Sequence, residues 1–147
     1  HVHMDAAGFN LDTWKNLTLT YKHLEHLIDA FMPRTRRNNT YCKTLSGVSD
    51  ERIKSVRTID GLREVFNNDR YHKVNFEAYS RHRTVEFRQH SGTTNFTKME
   101  NWIRFLNGLI TFAKRSSLPS RMTLEELPFL DGKQKLFFKL RTKKLAV

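Results

Sequence analysis

Two stretches, Lys73-Val-Asn-Phe-Glu-Ala-Tyr-Ser80 and Arg83-Thr-Val-Glu-Phe-Arg-Gln-His90, carry the pattern on which the architecture turns. Both alternate apolar and polar residues, the period of a strand with one wet face. In the first, Val74, Phe76 and Ala78 share the apolar side, and Asn75, Glu77 and Tyr79 the polar side. In the second, Val85 and Phe87 oppose Glu86, Arg88 and His90. A two-residue turn at Arg81-His82 would pair them antiparallel, setting Phe76 against Phe87, Ala78 against Val85, Asn75 against Arg88 and Glu77 against Glu86. Two carboxylates directly opposed are unfavourable in a sheet. The pairing therefore asks for a positive neighbour: a metal ion, an arginine or a shared proton. His1-Val-His-Met-Asp5 reads as a further strand, with His1, His3 and Asp5 on one face and Val2 and Met4 on the other.

Helices surround these strands. Leu11, Trp14, Leu17, Tyr21, Leu24, Leu27, Ile28 and Phe31 recur at steps of three and four, predicting an amphipathic helix that starts at an Asp12 cap and stops before Pro33. His23 and His26 fall on its exposed side. Residues 33–58 are polar and aperiodic and read as a loop. A short helix capped by Asp60 and a turn at Asn67-Asn68-Asp69 precede the strands. A Thr97/Glu100 capping box opens a helix over about 98–114 that is apolar nearly all round, which predicts deep burial. A second box, Thr123/Glu126, opens a short helix, and 133–144 reads as a last, basic one. The pattern is an α+β domain, an antiparallel sheet packed by helices.

Composition narrows the function classes. The 147 residues carry 26 Lys and Arg against 15 Asp and Glu, a net charge of +11. That attracts nucleic acid, anionic surfaces or phosphorylated ligands without choosing among them. Lys133, Lys135, Lys139, Arg141, Lys143 and Lys144 crowd a basic tail over 133–147, which is either a solvated face or a nucleic-acid contact. The single cysteine, Cys42, excludes an intrachain disulfide and a multi-cysteine zinc site. No run is long and apolar enough for a spanning helix, and the first residues lack a signal-peptide pattern. A cytoplasmic protein with no membrane partner is expected. His, Glu and Arg on three strand faces suit Mg²⁺ or Mn²⁺ together with phosphate oxygens, or else form the wet side of a sheet.

The run Thr84-Val-Glu-Phe-Arg-Gln-His-Ser-Gly-Thr93 after His1-Val-His-Met-Asp5 resembles the amidoligase family, ATP-dependent carboxylate–amine ligases with a glutamine synthetase-like fold. Arg34 to Leu45, Arg70-Tyr-His-Lys-Val-Asn75 and the helix near Lys98 sit at matching intervals, so the resemblance covers roughly residues 1–130. It implies binding of ATP with divalent ions, transfer of the γ-phosphoryl group to a carboxylate, and attack of an amine on the acyl phosphate. Carried over by position, His1 and Glu86 would be metal ligands, with Glu77 beside them. His3, Arg36 and Asn75 would contact the nucleotide or substrate. Arg88 would hold the carboxylate, and His90 would orient this cluster. In the family a glutamate-containing strand precedes the His-x-His strand, so residues 1–147 read as the C-terminal portion of one domain. A preceding segment or a partner chain is expected to complete the site.

Two other readings compete with a ligase acting on carboxylate and amine substrates, peptides or proteins among them. One is a non-catalytic amidoligase-like module that docks on a larger assembly or on nucleic acid through its basic surface. The other is an unrelated metal-dependent hydrolase. No Ser/His/Asp or Cys/His nucleophile arrangement favours the latter, and Cys42 lies in a polar loop without an activating partner.

Overall fold

The computed structural model describes residues 1–146. Three short strands form one antiparallel sheet: β1 (Val2–Asp5), β2 (Val74–Asn75) and β3 (Thr84–Phe87), in the spatial order β1-β3-β2. Six α-helices accompany them: α1 (Leu11–Ala30), α2 (Asp50–Ser55), α3 (Ile59–Val65), α4 (Ala78–His82), α5 (Phe96–Ala113) and α6 (Gly132–Leu145). Single 3₁₀ turns lie at Arg34–Arg36 and Leu124–Glu126. The α+β class expected from the sequence is what the chain adopts.

The expected 73–80 strand is corrected. It ends after Asn75, because the Asn75 side-chain oxygen accepts the Glu77 backbone N–H at 2.9 Å and folds the chain back on itself. Residues 78–82 then turn as α4, which Arg83 closes in the left-handed conformation at φ 56°. The register is consequently Val74 opposite Phe87 and Asn75 opposite Glu86, not the hairpin with Glu77 against Glu86. On the other side of β3, Val2 pairs with Phe87 and His3 with Glu86.

Helix boundaries follow side-chain caps more than charge. Asn10 caps α1 by accepting from Thr13 N–H at 2.8 Å, so Asp12 lies inside the first turn. Thr58, not Asp60, caps α3, and Asn95, not Thr97, caps α5. The Thr123/Glu126 box forms as expected, and α6 opens on an Asp131/Gln134 box. The 33–58 stretch holds α2, capped by Ser49; six residues are too few to show a helical period. Asn67 and Asn68 make their turn with positive φ.

The apolar face of the sheet packs on α1: the Tyr21 and Phe87 rings stack at 6.0 Å, and Trp14 meets Phe76 edge-on at 6.1 Å. Behind it, α1 packs on α5 through Leu17, Leu24, Phe105 and Leu109, all fully buried. Helix α5 is buried on one side only; Phe96 and Ile103 are exposed at 71% and 46%, which corrects the expectation of burial all round. His23 and His26 are half-buried, contrary to the exposed placement expected: His23 Nδ1 meets the Leu118 carbonyl at 2.7 Å and Nε2 the Asp50 carboxylate at 2.8 Å.

Candidate active site

One row of side chains crosses the open face of the sheet: His3 on β1, Glu86 on β3 and Asn75 on β2. Strand alternation puts them there, opposite the buried Val74, Val85 and Phe87. Glu86 is buried and takes all its partners from this row and from Arg88. Its Oε1 accepts from Arg88 Nη1 at 2.7 Å and from Asn75 Nδ2 at 3.2 Å, and its Oε2 lies 2.8 Å from His3 Nε2. Burial alone would push the Glu86 carboxyl up. The hydrogen bonds from Arg88 and Asn75 and the charges of Arg88 and His3 outweigh it and hold the carboxyl below its ordinary range. His3 Nδ1 meets Thr84 Oγ1 at 2.8 Å, which fixes the ring over Glu86. The row floors an open pocket of about 360 Å³, rimmed by Arg70, Tyr71, Arg81 and His82.

Arg88 also lines the pocket. Its guanidinium carbon sits 5.2 Å from the centre of the Tyr71 ring, and its Nε is buried without a hydrogen-bond partner. The strand end that carries it is held by Arg36, whose Nη2 donates to the Arg88 carbonyl and whose Nε donates to the Gln89 carbonyl at 3.3 Å. Arg36 thus grips backbone outside the pocket lining.

The remaining candidates lie apart. His1 Nε2 is 3.5 Å from Arg36 Nη2, and His1 shares a separate small pocket of about 200 Å³ with His90 and Trp102. The His90 ring lies 5.5 Å from the Trp102 ring, tilted by 39°, and is bonded to the Ser91 carbonyl. Its burial holds the imidazole below its usual range, against the pull of the Ser91 carbonyl. Glu77 reaches the pocket wall but is gripped by both arms of Arg63, at 2.9 Å each. The expected opposition of Glu77 and Glu86 does not form, since Asn75 stands opposite Glu86, and each carboxylate has its own arginine: Arg63 for Glu77 and Arg88 for Glu86.

Sequence reasoning missed Tyr71, Arg70, Arg81 and His82 as pocket residues. Arg70 and Tyr71 lie in a stretch quoted for the family resemblance and Arg81 and His82 in one read as a turn, and only the chain reversal after Asn75 brings them to one rim. A buried network behind the sheet was also missed. Lys73, fully buried, donates to Asp29 at 2.8 Å and to Glu25 at 3.2 Å, while Gln89 bridges Asp29 and the Tyr21 hydroxyl.

The donor set can be compared with what a divalent ion needs. Among the described residues no group of three or more His, Cys, Asp or Glu side chains converges on one point. His3 Nε2 and Glu86 Oε2 are the pair within reach of a shared ion. The Glu86 carboxylate fits an ion that completes its shell with phosphate oxygens and water, the habit of Mg²⁺ at nucleotide sites, whereas the imidazole is the softer ligand of the pair.

The strands and residues that build this site fall in the region matched by a protein-family model described as "putative amidoligase enzyme", residues 1–110, three quarters of the chain. The chain belongs to the amidoligase family. Helix α6 lies beyond the matched region. No curated protein and no solved structure matches the chain.

Proposed function

We propose that the pocket on the open sheet face is the nucleotide and carboxylate site of an ATP- and Mg²⁺-dependent carboxylate–amine ligase. The observation that carries this reading is the row His3–Glu86–Asn75 with Arg88, a buried carboxylate held by donors from three strands within the family-matched region. Arg88 supplies a planar fork for a carboxylate or a phosphoryl oxygen. Arg70 and Arg81 add positive charge at the rim, which lowers the repulsion between a nucleotide and an anionic substrate. A divalent ion, held by Glu86 and His3 when bound, supplies further neutralisation of the phosphate oxygens.

In the reaction, a substrate carboxylate oxygen attacks the γ-phosphorus of ATP and ADP leaves. The nitrogen of an amine then attacks the acyl carbon, phosphate departs and the amine gives up a proton as the amide forms. Arg88 holds the carboxylate in line during the first step. Asn75 and His3 keep Glu86 ionised and oriented. The outer edge of β1 carries no further strand among the described residues, and a preceding segment or a partner chain adding acidic ligands there belongs to this proposal.

Titration of the protein with MgATP by calorimetry tests the reading. Glu86→Ala and Arg88→Ala are expected to weaken binding at least about tenfold, the loss of one charge-assisted contact. Variants that bind as tightly as the parent overturn the site.

One observation favours a second reading. Helix α6 carries six basic residues and no acidic one, with Lys133, Lys139, Lys143 and Lys144 exposed. A nucleic-acid contact there would show steep salt dependence and weaken when these lysines are neutralised, independently of Glu86.

A further inference from the structure

We infer that Tyr71 is the positioning residue that presents the Arg88 guanidinium to the pocket; this rests on Arg88 being the group that holds the anionic substrate. Arg88 is anchored by hydrogen bond on one side only, through Nη1 to Glu86 at 2.7 Å. Its Nε, buried and without a partner, contributes no second anchor. A buried donor left unpaired disfavours the placement, so something else must hold the fork there. The face of an aromatic ring attracts a guanidinium, and the Tyr71 ring centre lies 5.2 Å from the Arg88 guanidinium carbon.

Tyr71 is itself tied down in four ways. Its backbone N–H donates to Asp69 Oδ1 at 2.9 Å, and its carbonyl accepts from Lys43 N–H at 2.8 Å. Its hydroxyl accepts from Arg70 Nη2 at 2.7 Å, and the Tyr41 ring meets it edge-on at 5.5 Å. The backbone is thus fixed on both sides of the Cα, and the ring itself has Arg70 at its hydroxyl and Tyr41 at its edge. The ring also serves a second cation, since the Arg70 guanidinium carbon lies 4.9 Å from the same ring centre. Arg70 and Arg81 make no ion pair among the described residues, so the rim repels Arg88, and the pocket's other carboxylate, Glu77, is taken by Arg63, which leaves Glu86 as the acidic anchor. The ring supplies the attraction that keeps Arg88 in place against that repulsion.

Tyr71→Phe keeps the ring, whereas Tyr71→Leu removes it. Tyr71→Leu is expected to bind MgATP roughly 3- to 30-fold more weakly than Tyr71→Phe, which loses the hydroxyl's bond to Arg70 but keeps the ring, the range of a cation–π contact. In an Arg88→Gln background, which leaves no cation to rest on the ring, Tyr71→Leu should then cost nothing further, because the two residues act as one unit. Losses that add in the double variant, or a Tyr71→Leu protein that binds like the parent, overturn the inference.

A second readout separates this inference from the ligase reading. The Arg88 Nε–H resonance, identified by its disappearance in Arg88→Lys, should shift or broaden in Tyr71→Leu and stay near its place in Tyr71→Phe. A parent that takes up no MgATP defeats the ligase reading alone. The resonance then decides Tyr71: movement in Tyr71→Leu upholds the ring's role, and an unmoved signal overturns it.

Discussion

Glu77 and Glu86 line one pocket and yet are held by different arginines, which separates a structural carboxylate from a candidate chemical one. Arg63 closes on Glu77 with two hydrogen bonds and sets its carboxyl below the ordinary range, against its partial burial and helped by Asn68. A depressed carboxyl contributes stability that is present above its unfolded pKa and lost as pH falls through the folded one. Arg63→Ala should therefore lower stability by roughly 1 kcal/mol at neutral pH. The difference from the parent should close on acidification below about pH 4, followed by urea denaturation. His90 behaves oppositely in origin, since burial disfavours its charged form. The unfolded chain takes up this proton first, so stability should fall as pH drops below about 6.5, the ordinary imidazole value. His90→Gln should flatten that decline, and an unchanged slope would remove His90 from the cause.

At the scale of elements, the packing of α5 sets how close its neighbours come. Gly108 lets the chain at Phe129 approach: a Cβ built there would meet the Phe129 carbonyl oxygen at 2.9 Å and its ring at 3.2 Å. Alanine would favour the helix by about 1 kcal/mol. A backbone carbonyl cannot swing aside as a flexible side chain can, and overpacking costs about 1–3 kcal/mol. Gly108→Ala is thus expected to lower the melting temperature despite its better propensity, and a rise would show that the Phe129 segment yields. The same scale explains the shortened strand. Alternation in 73–80 is real, and Val74, Phe76 and Ala78 are all buried. A short helix beginning at Ala78 can bury such residues too, so alternation over so few positions does not fix an extended backbone.

Across the whole molecule, Lys73 ties the sheet to α1. Its ammonium group, fully buried between Glu25 and Asp29, and Gln89, bonded to both Asp29 and Tyr21, link β2, the end of β3 and the central helix. Removing one member leaves uncompensated buried charge, which typically costs about 3–5 kcal/mol. Lys73→Met should lower stability by that order in urea unfolding at neutral pH. A loss below about 1 kcal/mol would mean that water or relaxation reaches the acids. No helix among the described residues is long and apolar enough to cross a membrane.

The sequence by itself determined the α+β class, the buried faces of α1 and β3, and the polar face that carries Glu86 and Arg88. Those properties depend on side-chain period and on which residues shun water, both of which are local. The family was legible too, through the resemblance carried by Thr84 to Thr93 and the His1–Asp5 strand, both inside the matched residues 1–110. The tertiary structure decided the register of β2, the separation of Glu77 from Glu86, and the gathering of Tyr71, Arg70, Arg81 and His82 at one rim. Each of these turns on a contact between distant residues or on a single side-chain hydrogen bond, such as Asn75 capturing the Glu77 amide, whose competition with strand pairing is settled only when the whole chain packs.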